Sequence, residues 1–120
     1  MSYSNGDIVV VPFPFVTTAG IQQKARPALV VSNHNIKRRF NDLILVAITS
    51  QHIDNVIVTE YLIEDGTEAF KQSGLAKKSV VRCEYIMTVP RDVIARKIGR
   101  LPVDVINEIN EIIKLSLGLK

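Results

Sequence analysis

Arg82 and Glu84 stand two residues apart in the run Ser79-Val80-Val81-Arg82-Cys83-Glu84. Strand alternation puts Val81 and Cys83 on one face and Arg82 and Glu84 together on the other. An arginine and a carboxylate on one polar face, with side chains in reach of each other, can act as electrostatic stabiliser and general base. The same two residues can equally form a surface ion pair worth about 0–1 kcal/mol. Arg26 precedes Pro27, and a following proline pushes the residue before it into extended geometry. A guanidinium on so stiff a backbone suits bidentate contact with phosphate; a surface or capping arginine is the plainer alternative. Thr49-Ser50 ends an apolar run with two hydroxyls, where a sheet stops and a site can begin. A strand-terminal turn uses the same residue types.

Other chemistries have less to work with. The sequence holds no Gly-rich phosphate loop, no HExxH and no GxSxG. His34, His52 and Cys83 are the only soft metal ligands and no two are close in sequence, so neither a metal site nor a cofactor is expected. A single cysteine excludes an internal disulfide framework. Cys83 reads as a small buried hydrophobe, and a reducing cytoplasm is the expected location. The formal net charge is +3, and its distribution says more than its size. Residues 20–40 carry Lys24, Arg26, Lys37, Arg38 and Arg39 and no acid. Residues 71–100 carry eight basic residues against Glu84 and Asp92. Two uncompensated basic stretches point to an electropositive surface and a polyanionic partner, or to ordinary solvated faces.

The elements that must position these groups fit one domain of 120 residues. Hydrophobic residues make up 47% and charged residues 22%, a globular balance that argues against disorder. The longest apolar run, residues 8–16, contains two prolines and falls far short of the roughly 20 residues a membrane helix needs. No Lys or Arg precedes Lys24, so the basic start of a signal peptide is missing. Strands are expected at residues 8–15, 28–32, 43–49, 56–63 and 79–89. Pro12 and Pro14 place the first at an edge or beside a bulge. Residues 17–23 read as a loop, 66–74 as a turn with room for one helical turn, and 93–101 as ambiguous. Pro102 suits a helix start. Val105, Ile106, Ile109, Ile112, Ile113 and Leu117 then recur at three- and four-residue spacing, and Gly118 is a fitting terminator. Short strands followed by one amphipathic helix give an α+β plan: a small curled sheet or barrel with a packed helix.

Taken in order, several of these segments resemble the MazF/PemK family of bacterial toxin–antitoxin toxins. They are Gly6-Asp7-Ile8-Val9 with Val11-Pro12-Phe13-Pro14-Phe15, then Arg26-Pro27-Ala28-Leu29-Val30-Val31-Ser32, then Ile48-Thr49-Ser50. Gly74-Leu75, Ser79-Val80-Val81-Arg82-Cys83, Lys97-Ile98-Gly99-Arg100-Leu101 and the C-terminal Leu117-Gly118-Leu119 follow. The resemblance runs over nearly the whole chain, and its specificity lies in the order and spacing of the pieces.

The resemblance implies an SH3-like barrel of about five to seven mostly antiparallel strands with a C-terminal helix, and a homodimer. It implies a metal-independent endoribonuclease that cuts single-stranded RNA by 2′-hydroxyl attack, leaving a cyclic phosphate and a 5′-hydroxyl. A cognate antitoxin is the implied protein partner, and any DNA contact comes only through it. The family's arginine before proline falls on Arg26 and its strand-end threonine on Thr49. The acid and base of the plasmid-borne branch fall on Arg82 and Glu84. Lys24, Ser50, Lys77 and Lys78 are the expected RNA-binding residues. The chain departs from that branch at Glu84, where an aspartate is usual, and at Tyr85, where a polar residue is common. Two rivals share the fold: a non-catalytic RNA- or protein-binding barrel, and a CcdB-like gyrase inhibitor. The latter depends on a Trp-containing tail, and this chain has no Trp.

Overall fold

Alternation along the first three strands sends neighbouring side chains into two different cores. In the computed structural model, which describes residues 2–18 and 20–120, β1 spans Asp7–Thr17, β2 Gly20–Val30 and β3 Asp42–Thr49. Ile8 of β1 pairs with Leu29 of β2, and both enter a core shared with Val46, Ile48, Val81 and Cys83. The next pair, Val9 and Ala28, points the other way into a core with Val30, Leu43, Leu45 and Ile94. The sheet is therefore packed on both faces.

The described residues continue with β4 (Glu60–Ile63), α1 (Glu68–Ser73), β5 (Ser79–Pro90), a 3₁₀ turn (Arg91–Val93), β6 (Arg96–Arg100) and α2 (Val103–Leu117). The six strands form one antiparallel sheet in the order β4-β5-β3-β2-β1-β6. The expected α+β class, a curled antiparallel sheet with a C-terminal helix, is what the chain adopts. Val105, Ile106 and Ile109 of α2 are buried on the first core, while Leu117, expected on the same stripe, is exposed.

The pairing settles four of the expectations, two of them as corrections. The expected loop at residues 17–23 is largely ladder, because β2 begins at Gly20, not Ala28; Ala19 lies outside the described residues. The reason is that β3 pairs only with Ala28, Leu29 and Val30. The earlier half of β2 has β1 as its partner, from Arg26↔Val11 to Gly20↔Thr17. The β2 half of this ribbon, residues 20–26, is mostly polar in sequence and carries no alternating apolar signal. Secondly, the edge or bulge expected for β1 is met: β6 flanks it only at residues 7–10, with a register shift between Ile8 and Val9. Pro12 and Pro14 lie beyond that pairing, where a missing N–H is tolerated. Thirdly, β4 is only four residues long. Val56, Ile57 and Val58 are exposed, because the β4–β5 register stops at Glu60↔Arg82. Finally, the ambiguous residues 93–101 contain an edge strand, β6, paired with β1.

Gly74 and Gly99 fix the last joint that matters to the site. Gly74 ends α1 with φ 74, a left-handed conformation that glycine adopts without strain. A Cβ there would strike the Ile98 carbonyl, and one on Gly99 would strike the backbone of Gln72 and Ser73. The end of α1 therefore lies directly on β6.

Candidate functional site

Two grooves divide the residues singled out in the sequence. The first, of about 410 Å³, is lined among others by Arg26, Pro27, Thr49, Ser50, Lys77, Ser79, Arg96 and Ile98. Residues of β1, β2, β3, β5 and β6 and the α1–β5 connection build it. Arg26 is half-buried on β2 opposite Val11, Thr49 is the last residue of β3 opposite Val80, and Arg96 opens β6 opposite Val10. The Gly74–β6 contact supplies one wall through Gly74, Leu75 and Ile98. The buried Ser79 donates its hydroxyl hydrogen to the Lys77 carbonyl at 2.8 Å, fixing the strand entry that carries Lys77. The Thr49 hydroxyl accepts the Gln51 N–H at 3.1 Å, so the strand ends in a side-chain-closed turn. Among the described lining residues are three cations and three hydroxyls and no Asp or Glu. Such a wall favours an anion with several acceptor oxygens.

The second groove, of about 390 Å³, is lined by Ile57, Thr59, Glu60, Arg82, Glu84 and Tyr85. Arg82 and Glu60 are cross-strand partners joined by an ion pair at 2.5 Å, with side chains 28% and 7% exposed. Arg82 also donates to the Gln51 carbonyl at 3.2 Å. Glu84 accepts a short hydrogen bond from the Thr59 hydroxyl. Arg82 and Glu84 thus share a groove as expected, but each is held by a different residue. The physical cause is a break in β5: Val46 pairs with Ile86 while Ala47 pairs with Arg82. Three residues of β5 are therefore passed over in its pairing with β3, and strict alternation is lost.

The turn at residues 49–51 joins the grooves, since Thr49 and Ser50 line the first and the Gln51 carbonyl holds Arg82 in the second. Of the expected RNA-binding residues, Ser50 and Lys77 line the first groove. Lys24 is exposed on the β1–β2 ribbon, two residues from Arg26. Lys78 forms an ion pair with Glu64 at 2.9 Å, and this hydrogen bond holds its pKa above the usual lysine value. Cys83 is buried, and burial, with the nearby Glu60, pushes its thiol up to about 11, so it stays protonated and inert at neutral pH. Among the described residues no group of three or more His, Cys, Asp or Glu side chains could hold a metal ion, and no helix is long and apolar enough to cross a membrane.

Sequence reasoning missed Arg96, Ser79, Glu60 and Thr59. Arg96 lay in an unphased segment. The opposite charges of Glu60 and Arg82 were the available signal for their pairing.

Solved structures of MazF-like toxins share this curled sheet and terminal helix. An endoribonuclease in complex with its cognate antitoxin, from a mycobacterial species, is 21% identical, with a TM-score of 0.75 over 99% of this chain and 98% of that one. The Mycobacterium tuberculosis toxin MazF-mt6 is 22% identical, with a TM-score of 0.72 over 95% and 98%. A chain of the MazE–MazF structure (form II) from Deinococcus radiodurans is 19% identical, with a TM-score of 0.71 over 100% and 99%. No curated protein matches the sequence. The model of the PemK-like, MazF-like toxins of type II toxin–antitoxin systems matches residues 4–117. The chain belongs to that family.

Proposed function

We propose that the chain is the toxin of a type II toxin–antitoxin pair and a metal-independent, sequence-specific endoribonuclease that cuts single-stranded mRNA and thereby arrests growth. The observation that carries this reading is the first groove, where Arg26, Lys77 and Arg96 face the hydroxyls of Thr49 and Ser50 with no carboxylate among the described lining residues. In the proposed step the 2′-oxygen of one nucleotide attacks the adjacent phosphorus, and the bond to the 5′-oxygen breaks. The 2′-hydroxyl gives up one proton and the departing 5′-oxygen gains one, so the step consumes no water and leaves a 2′,3′-cyclic phosphate. Arg26 stabilises charge building on the non-bridging oxygens. Thr49 orients the phosphate, and Ser50, Lys77, Arg96 and, along the ribbon, Lys24 hold the flanking backbone. Arg82 and Glu84 can serve as acid and base only for a phosphodiester lying over residues 49–51.

The working form is proposed as a cytoplasmic homodimer, since a small sheet with the edge strands β4 and β6 has edges to cover. An acidic antitoxin segment, complementary to the cationic groove, is the proposed inhibitor. The deciding experiment incubates the pure protein with a long RNA in excess EDTA. Discrete fragments ending in 2′,3′-cyclic phosphate and 5′-hydroxyl are expected. Activity that needs added divalent ions, or 5′-phosphate products, overturns the mechanism. No cleavage under any condition leaves a binding barrel. Light scattering is expected to give twice the chain mass.

A further inference from the structure

In an unbroken strand Glu84 and Tyr85 point to opposite faces. Here the register of β5 against β3 jumps between Arg82 and Ile86, and Arg82, Glu84 and Tyr85 all line one groove. Tyr85 is 43% exposed, which puts part of an aromatic side chain in this groove beside a carboxylate. Arg82 is engaged by Glu60 and the Gln51 carbonyl, which leaves Glu84 as the uncompensated charge of this groove. A phosphate is repelled there, unlike in the first groove. An uncharged ring with hydrogen-bond donors is favoured. The volume, about 390 Å³, is that of a small-ligand pocket, and the turn at residues 49–51 connects it to the groove that takes the phosphate.

We propose that the second groove is a nucleobase pocket in which one base of the single-stranded RNA stacks on Tyr85 and is read by the Glu84 carboxylate, with guanine preferred. The RNA ligand rests on the ribonuclease reading. The choice of base follows from donor and acceptor chemistry. A carboxylate only accepts. Guanine offers two adjacent donors, its ring N1–H and its exocyclic amine, to the two carboxylate oxygens. Adenine and cytosine offer one amine beside an acceptor nitrogen. Uracil offers one N–H flanked by two carbonyls, which face the carboxylate unfavourably. Thr59 donates to Glu84, which orients the carboxylate without satisfying both oxygens. Glu84 is in this view a specificity residue, and the β5 irregularity is the device that brings Tyr85 beside it.

The test uses four 2′-O-methyl hexanucleotides, which cannot be cleaved, identical except for guanine, adenine, cytosine or uracil at one position. Affinity is measured by fluorescence anisotropy for the wild type, Glu84→Gln, Tyr85→Phe and Tyr85→Ala. The guanine oligonucleotide is expected to bind about tenfold more tightly than the uracil one, and Glu84→Gln to erase that ratio. Tyr85→Ala is expected to weaken all four by about tenfold, and Tyr85→Phe, which keeps the ring, to weaken none. Because both side chains are exposed, circular dichroism is expected to show all variants folded. Equal wild-type affinities for the four bases overturn the proposal. So does a Glu84→Gln enzyme that discriminates normally but cleaves unmodified RNA nowhere, for that is the signature of a general base. Discrimination by a wild type that cleaves no RNA instead sustains the pocket and overturns only the ribonuclease reading.

Discussion

The two grooves are neighbours joined by the turn at residues 49–51, yet their linings differ in charge. In the first, Arg26, Lys77 and Arg96 line the walls with three hydroxyl residues and, among the described lining residues, no carboxylate. In the second, the arginine is paired across the sheet with a largely buried glutamate, and the other carboxylate is tethered to a threonine. Accumulated like charge raises the energy of the empty protein and is relieved by an anionic ligand. A charge already paired contributes to the fold and gives a ligand much less. The contrast says where RNA chemistry is to be sought and where substitutions should show up as lost stability.

The largest expected effect falls on the first groove. Arg26→Lys keeps one positive charge, so the electrostatic share of RNA affinity should change by less than about fivefold. Lysine lacks the planar fork that can grip two phosphate oxygens as charge builds on them. Removing one preorganised donor typically costs about 10²–10³ in rate, and single-turnover cleavage should fall by at least about 10². Its melting temperature should move by less than about 2 °C. Unchanged cleavage of bound RNA with collapsed affinity would instead make Arg26 a binding residue and dissolve the contrast at its strongest point.

The second groove should answer through stability. Glu60→Gln leaves the Arg82 guanidinium facing a neutral amide where a carboxylate stood. Losing a charge-assisted hydrogen bond of this kind costs about 1 kcal/mol after the neutral bond that remains is allowed for. The melting temperature should fall by roughly 4 °C for a domain of this size. A drop of that kind, with cleavage per folded molecule reduced less than by Arg26→Lys, sharpens the comparison. A stable Glu60→Gln protein with no activity would move the catalytic centre into the second groove.

How much of this was legible beforehand follows from what each element depends on. The strand β3 and the helix α2 announce themselves through an apolar run and a 3.6-residue stripe, because their own burial dictates their sequence. The first half of β2 does not: residues 20–26 are mostly polar and pair with β1 alone, so no alternation marks them in the sequence. Arg26 and Thr49 were legible from local chemistry, a residue before proline and a hydroxyl at a strand end. Arg96 and Glu60 were not, because their places depend on register with residues far away in sequence, Val10 and Arg82. The shared face of Arg82 and Glu84 was inferred from regular alternation. The grouping holds, but the register break in β5 adds Tyr85 to it and each charge has another partner.

Lys77 and Lys78 give the smallest and cleanest comparison, because adjacent residues of one type differ mainly in surroundings. Lys77 is exposed and lines the first groove. Lys78 is turned to Glu64, whose carboxylate stabilises its charged form. A lysine that neutralises an RNA phosphate releases counterions, and each such contact on a single strand adds about 0.7 to the slope of log affinity against log salt. Lys77→Gln should therefore flatten that slope by about 0.7. Lys78→Gln should leave it within error, because the ion pair with Glu64 leaves little positive potential for a phosphate. Threefold more salt would then weaken the wild type about twofold more than Lys77→Gln, a difference within reach of anisotropy titrations on one unlabelled-competitor series. Equal slopes for the two variants would mean that RNA follows the whole basic stretch of the α1–β5 connection. Charge arrangement would then not distinguish the first groove from its surroundings.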